Sequence, residues 1–292
     1  MRDAAILLNV LAAPDPRDPA TLAQPRPADY AAGLDPDGLR GARIGVPGDP
    51  ADPANDVFYG RLGLAAASVI GDAIACIEAQ GATIVRANLP TAGWIGGPGT
   101  EMAILNRNPE SPTRHQPVHR PIVFLYELKH DLNAYLRDWL HGTAMRSLAD
   151  IVAFNAANAG RALRFGQDLF LAAEATRGDL SEPEYAAARA ADLRASRTLG
   201  LDAYMDRHRL DAVLFPGAAG AAIAAKAGYP SVQVPVGFVA GSAAGGSGAA
   251  SCPFGVTFTG RAWSEPVLLR LAYAFEQATA SRRPPPGLPS LE

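Results

Sequence analysis

One serine of the sequence lies in the kind of glycine-rich turn that can present a nucleophile. Ser247 is the serine of a Gly-Gly-Ser-Gly tetrapeptide. A serine attacks a carbonyl only when a base takes its proton, and that base is a histidine or a lysine of lowered pKa. No histidine follows His208, and the nearest lysine along the chain is Lys226. We therefore interpret this stretch as a flexible hairpin tip without catalytic function.

Two histidines have a spacing that could share a metal ion. His115 and His119 are four positions apart, which on a helix would place both imidazoles on one face. Pro117 lies between them, and the stretch contains no Cys, Asp or Glu that would complete a site. A solvated loop is the better interpretation. The glycine-rich residues 93–99 lack the spacing of a dinucleotide-binding loop, so the residues alone indicate no catalytic, metal or cofactor site.

The composition excludes several classes of partner. The formal net charge is -3, which gives no electrostatic reason to expect nucleic acid or an anionic membrane as a partner. Cys76 and Cys252 are far apart and form no CxxC pair, so we expect a reduced, cytoplasmic protein. No stretch approaches the roughly 20 apolar residues that a membrane span needs. We expect neither a nucleic-acid nor a membrane partner.

Helices and short strands alternate along the chain, which predicts an α/β fold. A strand near residues 41–47, a helix over 62–77 and a strand at 83–85 form one βαβ unit with parallel strands. Further strands are predicted at 210–215, 231–236 and 254–259, with residues 237–251 as a flexible connection. Capping boxes are predicted at Ser147 and Ser181, each followed by a carboxylate three residues later.

Several segments, taken in order, resemble the later part of enzymes of the amidase signature family, and in particular its peptide amidase branch. The resemblance covers nearly the whole chain except residues 90–120 and the last few. It is carried by residues 2–11, 14–21, 39–47, 126–135, 147–155, 165–170, 229–237 and 253–261, together with a final helix over 264–279.

The resemblance implies hydrolysis of carbon–nitrogen bonds in amides by a Ser–Ser–Lys triad. The segments that carry this triad in the family precede the part that this chain resembles, so no catalytic residue is transferred to it. Lys129, Lys226 and Ser247 lie in other segments. The resemblance implies substrate contacts at Phe165 and Gln167, whose segment faces the cleft in relatives. The alternative is a structural role, with helix packing for Phe165 and a cap or turn for Gln167. The substrate would be a small amide or a peptide amide.

The resemblance also implies an architecture, a mixed central sheet covered by helices on both faces. Residues 1–281 would form the C-terminal part of one amidase signature domain, and residues 282–292 a mobile, proline-rich tail. Strands centred on Ile44, Val85, Val213, Val234 and Val256 would lack some of their partners. We therefore expect the isolated chain to be poorly soluble or prone to association, with a partner chain or a homo-oligomer as the ways to cover it.

Three hypotheses follow for function. In the first, the natural protein carries the catalytic segment ahead of this one and hydrolyses amides. In the second, the chain is a non-catalytic pseudoenzyme, or a subunit that another chain completes, with a binding or structural role. In the third, an unrelated activity is centred on His115 and His119. In each of them this chain would be inactive as an amidase on its own.

Overall fold

Five strands form one mixed sheet in the computed structural model of the protein. The model describes residues 1–22, 24–25, 29–49, 51–52, 55–60, 62–92, 122–242 and 249–284. The strands are β1 (Arg43–Val46), β2 (Thr83–Arg86), β3 (Ala212–Pro216), β4 (Ser231–Ser242) and β5 (Ala249–Thr259). They are ordered β2-β1-β3-β5-β4. β1 is parallel to β2 and to β3, whereas β5 is antiparallel to β3 and to β4.

The helices fall into two compact units of the chain. They are α1 (Arg2–Leu11), α2 (Pro19–Leu22), α3 (Leu64–Ala79), α4 (Ile122–Asp138), α5 (Leu148–Ala157), α6 (Ala159–Ala162), α7 (Asp168–Glu174), α8 (Pro183–Leu193), a π-helical stretch Arg194–Leu201, α9 (Asp202–His208), α10 (Ala221–Ala227) and α11 (Glu265–Thr279). Unit 1 comprises Met1–Gly93 and Ser196–Glu292, and unit 2 comprises Trp94–Ala195. Within the described ranges, none of these helices is both long and apolar enough to cross a membrane.

The strand predictions are confirmed, and so is the α/β fold. The sequence pattern predicts a βαβ unit, and β1, α3 and β2 form it with the expected parallel register, in which Ile44 is opposite Ile84. Gly81 ends the connection with a φ of +88°, a conformation that glycine adopts without a steric penalty. Each of the five strand centres predicted from the sequence lies in one of the five strands.

Strand β3 is buried on both faces and divides the core of unit 1. Leu214 packs in one cluster with apolar residues of α3 and α11, among them Ile77 and Phe275. Its neighbours Val213 and Phe215 alternate to the opposite face and are also fully buried. A strand covered on both faces needs an uninterrupted apolar run, and the sequence Ala-Val-Leu-Phe-Pro provides it.

A half-buried tyrosine donates a hydrogen bond to β3 where the pairing of this strand with β1 stops. The β1–β3 register ends at Gly45 opposite Val213. The carbonyl of Leu214, one residue further on, accepts a hydrogen bond from Tyr59 Oη. Burial raises the pKa of Tyr59 well above its ordinary value. The phenol therefore stays protonated and serves as a donor to a backbone carbonyl of β3.

Two sequence predictions in these elements are wrong. Residues 237–242 and 249–251, predicted as part of a flexible connection, extend β4 and β5 and pair with register Gly237–Phe254 to Ser242–Ala249. Backbone pairing does not need large side chains, so the small residues there did not prevent it. Ser181 does not cap a helix, because α8 begins at Pro183 after Glu182, which makes no capping hydrogen bond with its side chain.

Unit 2 is helical in its described residues, and a serine cap fixes the start of one helix. The Oγ of Ser147 accepts a hydrogen bond from the backbone amide of Asp150 at 3.2 Å, as predicted. The Asp150 carboxylate accepts from the amide of Arg146 at 2.9 Å and from the Ser147 hydroxyl. These hydrogen bonds lower the pKa of Asp150. The α5 helix therefore begins at a defined residue beside α4.

The close packing under β1 gives a test of the fold. A Cβ at Gly45 would lie 2.8 Å from the Tyr204 ring and would also overlap the side chain of Leu210. Both side chains are buried, so we expect Gly45→Ala to lower the free energy of unfolding by about 1–3 kcal/mol. Urea unfolding followed by circular dichroism measures this.

Gly71 is the matched control, since it lies within α3 and a Cβ there meets no atom within 4 Å. Gly71→Ala should raise stability by roughly 0.5–1 kcal/mol through helix propensity. Equal effects of the two substitutions would contradict the packing described for β1.

Candidate functional site

The site residues predicted from the sequence lie in the turn between two short helices of unit 2. Helix α6 ends at Ala162 and α7 begins at Asp168. Gly166 has a φ of +76°, which allows the chain to reverse there without strain. The turn therefore places Phe165 and Gln167 on either side of a glycine.

The Gln167 side chain joins this turn to helix α5. Its Oε1 accepts from Asn155 Nδ2 at 3.3 Å, and its Nε2 donates to the carbonyl of Val152 at 3.4 Å. Both distances are at the long end for hydrogen bonds, so each bond is weak. Together they orient the amide plane of Gln167 against α5. The side chain remains half-buried, and its remaining hydrogen-bonding capacity is open to a ligand.

The side chain of Phe165 is exposed to solvent, which is unusual for a large apolar side chain. It is 79% exposed. The guanidinium carbon of Arg164 lies 5.4 Å from the centre of its ring, within the range of a cation–π contact. Packing against a helix cannot account for a side chain with this exposure. Phe165 therefore gives the turn an apolar surface without contributing to a core.

Phe165 and Gln167 border one open cavity of about 520 Å³, a volume within the range of small-molecule sites. The lining combines aromatic and aliphatic surface with an amide and a carboxylate. The other residues of the lining are Asn155, Ala162, Gly166, Asp168, Leu169 and Phe170. The amide groups can both donate to and accept from a peptide or primary amide, and the aromatic rings can cover its apolar parts.

The sequence indicated two of these lining residues and missed the others. Asn155 reaches the cavity from α5, twelve positions before Gln167, through a packing of helices that no local spacing reveals. Asp168 follows Gln167 directly and lies in the first turn of α7, where a carboxylate is common at a helix start. The signal that could have found both is their position inside the segments that carry the family resemblance.

Lys129, a possible catalytic base by residue type, has a structural role. Its Nζ donates to the carbonyls of Glu174 and Thr176 at 2.7 and 2.8 Å and lies 3.1 Å from the Glu174 carboxylate. The side chain is only 15% exposed. The ammonium thereby ties the end of α7 to α4.

Two tyrosines tie α4 to α8 within unit 2. The rings of Tyr126 and Tyr185 stack with centres 5.8 Å apart. Tyr126 donates to Glu184 and Tyr185 donates to Glu127, each at 2.9 Å. The hydrogen bond to Glu184 raises the pKa of Tyr126, and burial raises that of Tyr185. The helices that flank the cavity segment are therefore held by polar contacts as well as by packing.

Three stretches that the sequence singled out cannot be placed. The glycine-rich residues 93–99, the pair His115 and His119, and Ser247 all lie outside the described residues. The candidate site therefore consists of the cavity lined by Phe165 and Gln167.

Comparison with known proteins shows that amidases share this fold. The native peptide amidase of Stenotrophomonas maltophilia is 35% identical to this chain, with a TM-score of 0.76 over 97% of this chain and 53% of its own. A probable amidase of Arabidopsis thaliana is 30% identical over 97% of this chain and 48% of its own length. An amidase family protein of Bacillus anthracis, 23% identical, has the same fold with a TM-score of 0.71.

A search of protein-family models gives no match. The chain spans about half the length of the relatives it matches. The fold and these relatives define the class as amidase. The chain belongs to the amidase signature family, and it fits the C-terminal part of that family's enzymes.

The role of Lys129 predicts a stability effect. Lys129→Met would leave a partly buried carboxylate and two carbonyls without their donor, so we expect a loss of about 1–3 kcal/mol in the free energy of unfolding. Urea unfolding and hydrogen exchange of the amides in α7 would measure it.

The control is Arg137→Met on the same helix, whose ion pair with Asp138 is 66% exposed on the arginine side. That change should stay within about 0.5 kcal/mol of the parent. A neutral Lys129→Met would refute the structural role.

Proposed function

We propose that this chain forms the C-terminal part of a hydrolase that cleaves carbon–nitrogen bonds in amides. The observation that carries the proposal is the likeness to the Stenotrophomonas maltophilia peptide amidase, which extends over 97% of this chain. Residues 1–281, which include parts of both unit 1 and unit 2, belong to one amidase signature domain. Residues 282–292 form its tail. We place the protein in the cytoplasm, with no cofactor.

The chemical requirements of amide hydrolysis indicate which part of the amidase fold supplies the catalytic residues. A serine nucleophile requires a base within hydrogen-bonding distance and donors for the oxyanion. In the described part of the chain, Lys129 is committed to the carbonyls of α7 and its end. The Ser–Ser–Lys triad is supplied by the part of the amidase fold that this chain does not match. The chain alone is inactive.

The contribution of this chain is one wall of the substrate cleft. Phe165 offers an exposed aromatic face, and Gln167 an oriented amide. An amide substrate presents an apolar side chain and a planar donor–acceptor group, which are the two features that these residues complement. We propose a small amide or a peptide amide as the substrate.

The second candidate is a non-catalytic subunit or pseudoenzyme. It is favoured by a partial likeness to a glutamyl-tRNA(Gln) amidotransferase subunit of Chloroflexus aggregans, 36% identical over 88 residues, which is by its name one component of a larger assembly. In this case the chain functions with a partner chain, or as a homo-oligomer, and contributes binding or structure. The same cavity would then recognise an amide without cleaving it.

The intact mass of the native protein separates the two candidates. A mass well above 30.4 kDa would mean that the chain belongs to a longer amidase, whose amide hydrolysis can be assayed directly. A mass of 30.4 kDa would favour the subunit or pseudoenzyme, and a partner should then co-purify.

The purified 292-residue chain should release no ammonia from a peptide amide, with the peptide amidase of Stenotrophomonas maltophilia assayed beside it as the positive control. Turnover by the isolated chain would contradict the proposed division of labour. Loss of that turnover in Ser247→Ala would then identify the nucleophile.

The proposed substrate contacts predict a binding change without a stability change. Phe165→Ala should weaken the binding of a peptide amide by about tenfold, the loss of one aromatic contact, while unfolding stays within about 0.5 kcal/mol because the ring is exposed. Chemical-shift titration of the chain with the peptide amide measures binding.

Phe154→Ala is the control, since Phe154 is 53% exposed in the same unit and is not part of the cavity lining. Gln167→Ala should also weaken binding. Equal affinities of the Phe165→Ala and Phe154→Ala variants would exclude Phe165 as a substrate contact.

A further inference from the structure

Asp168 lines the cavity of unit 2 with a carboxylate that has no partner among the described residues. The residue is half-buried and directly follows Gln167, and within the described ranges its side chain forms no hydrogen bond or ion pair. A partly buried carboxylate without a partner has lost part of its hydration and has gained no interaction in exchange. Its capacity to accept hydrogen bonds is therefore available to a molecule that enters the cavity.

The lack of a partner distinguishes Asp168 from the other carboxylates of unit 2. In the described part of that unit, each of the others has a hydrogen-bonding or electrostatic partner. Glu127 accepts from Tyr185, for example, and Glu184 accepts from Tyr126. A polar group that the fold leaves unpaired asks for an explanation, and a ligand provides one. The exception in unit 2 lies at the cavity, where a ligand can reach it.

Negative charge and aromatic surface occur together at this cavity. Among the described residues of the lining, Asp168 alone is charged, and Phe165 and Phe170 contribute aromatic rings. Arg164, the neighbouring cation, is not part of the lining, and its guanidinium contacts the ring of Phe165 rather than the carboxylate. A carboxylate together with aromatic rings suits an ammonium or guanidinium group, because the carboxylate supplies the opposite charge and the rings supply their negative faces.

We propose that Asp168 is a specificity-determining residue that makes the cavity prefer amides carrying a positive charge. The ligand is a peptide amide with an ammonium or guanidinium group, on a side chain or at its amino terminus. Asp168 pairs with this group, while Gln167 of the same lining contacts the amide. The inference rests on the proposed function for the amide part of the ligand, and it adds the charge of the substrate.

The affinities of matched amides test the proposal. The 292-residue chain is titrated with N-acetyl-lysyl-phenylalaninamide and with its norleucyl analogue, which lacks only the ammonium group, and chemical shifts report the binding. We expect the lysyl amide to bind about five- to tenfold more tightly, which is the gain from an ion pair at a half-buried site, and added salt should reduce this ratio. Alanyl-phenylalaninamide and its acetylated form repeat the comparison for the amino terminus. The two comparisons identify which ammonium group Asp168 binds.

Substitutions at Asp168 separate this role from a structural one. Asp168→Asn keeps the size of the side chain and removes its charge, so the preference for the charged amide should disappear, whereas Asp168→Glu should retain a preference. Asp179→Asn is the matched control, since it removes the same charge from an exposed position of unit 2 outside the lining. The control should keep the ratio of the parent. Circular dichroism of each variant checks that the chain is folded.

The outcomes distinguish this proposal from the proposed function. Equal affinities for the charged and neutral amides, or a preference that survives in Asp168→Asn, would overturn the role of Asp168 and leave the proposed function standing. Binding of butylammonium that depends on Asp168, in a chain that binds no amide, would leave the positive-charge subsite and refute the amide recognition of the proposed function. A chain that binds none of these compounds would refute both.

Discussion

The structure of unit 1 depends on one strand that is buried on every side. Strand β3 pairs in parallel with β1 and antiparallel with β5, so it joins the βαβ unit to the C-terminal hairpin. All five of its residues are buried, and its carbonyl at Leu214 accepts a hydrogen bond from Tyr59 where the pairing with β1 ends. A polar residue in β3 would have to lose its hydration without a partner. The apolar run from Ala212 to Pro216 is therefore what permits a sheet with helices on both faces.

Unit 2 has a different organisation in its described residues, because it contains no strand there and combines an apolar cluster between helices with polar links. The ammonium of Lys129 binds the end of α7, the Ser147 cap defines the start of α5, and Gln167 connects the cavity turn to α5. Each link fixes the position of a helix end. The shape of a cavity between helix ends depends on these links. The weak hydrogen bonds of Gln167 therefore influence the shape of the cavity as well as the position of Gln167 itself.

Much of the fold could be predicted from the sequence, since short buried strands and capped helices leave local patterns. The runs around Ile44 and Val213 identify strands by composition, and Ser147 identifies a helix start by its neighbour Asp150. The extension of β4 beyond Gly237 could not be predicted, because pairing between small residues leaves no pattern in the side chains. Ser181 failed as a cap because Glu182 accepts from the amide of Arg177 and Pro183 begins the helix.

The candidate site was predictable only in part, because its residues come together in two different ways. Phe165 and Gln167 are close in sequence and reach the same cavity, whereas Asn155 joins them through helix packing. The turn that carries them supplies apolar surface and an oriented amide, the two features through which we propose that it binds an amide. Neither group can take a proton from a serine or generate a nucleophile. Recognition and bond cleavage therefore place separate demands on the fold, and in our proposal the described residues serve the first of them.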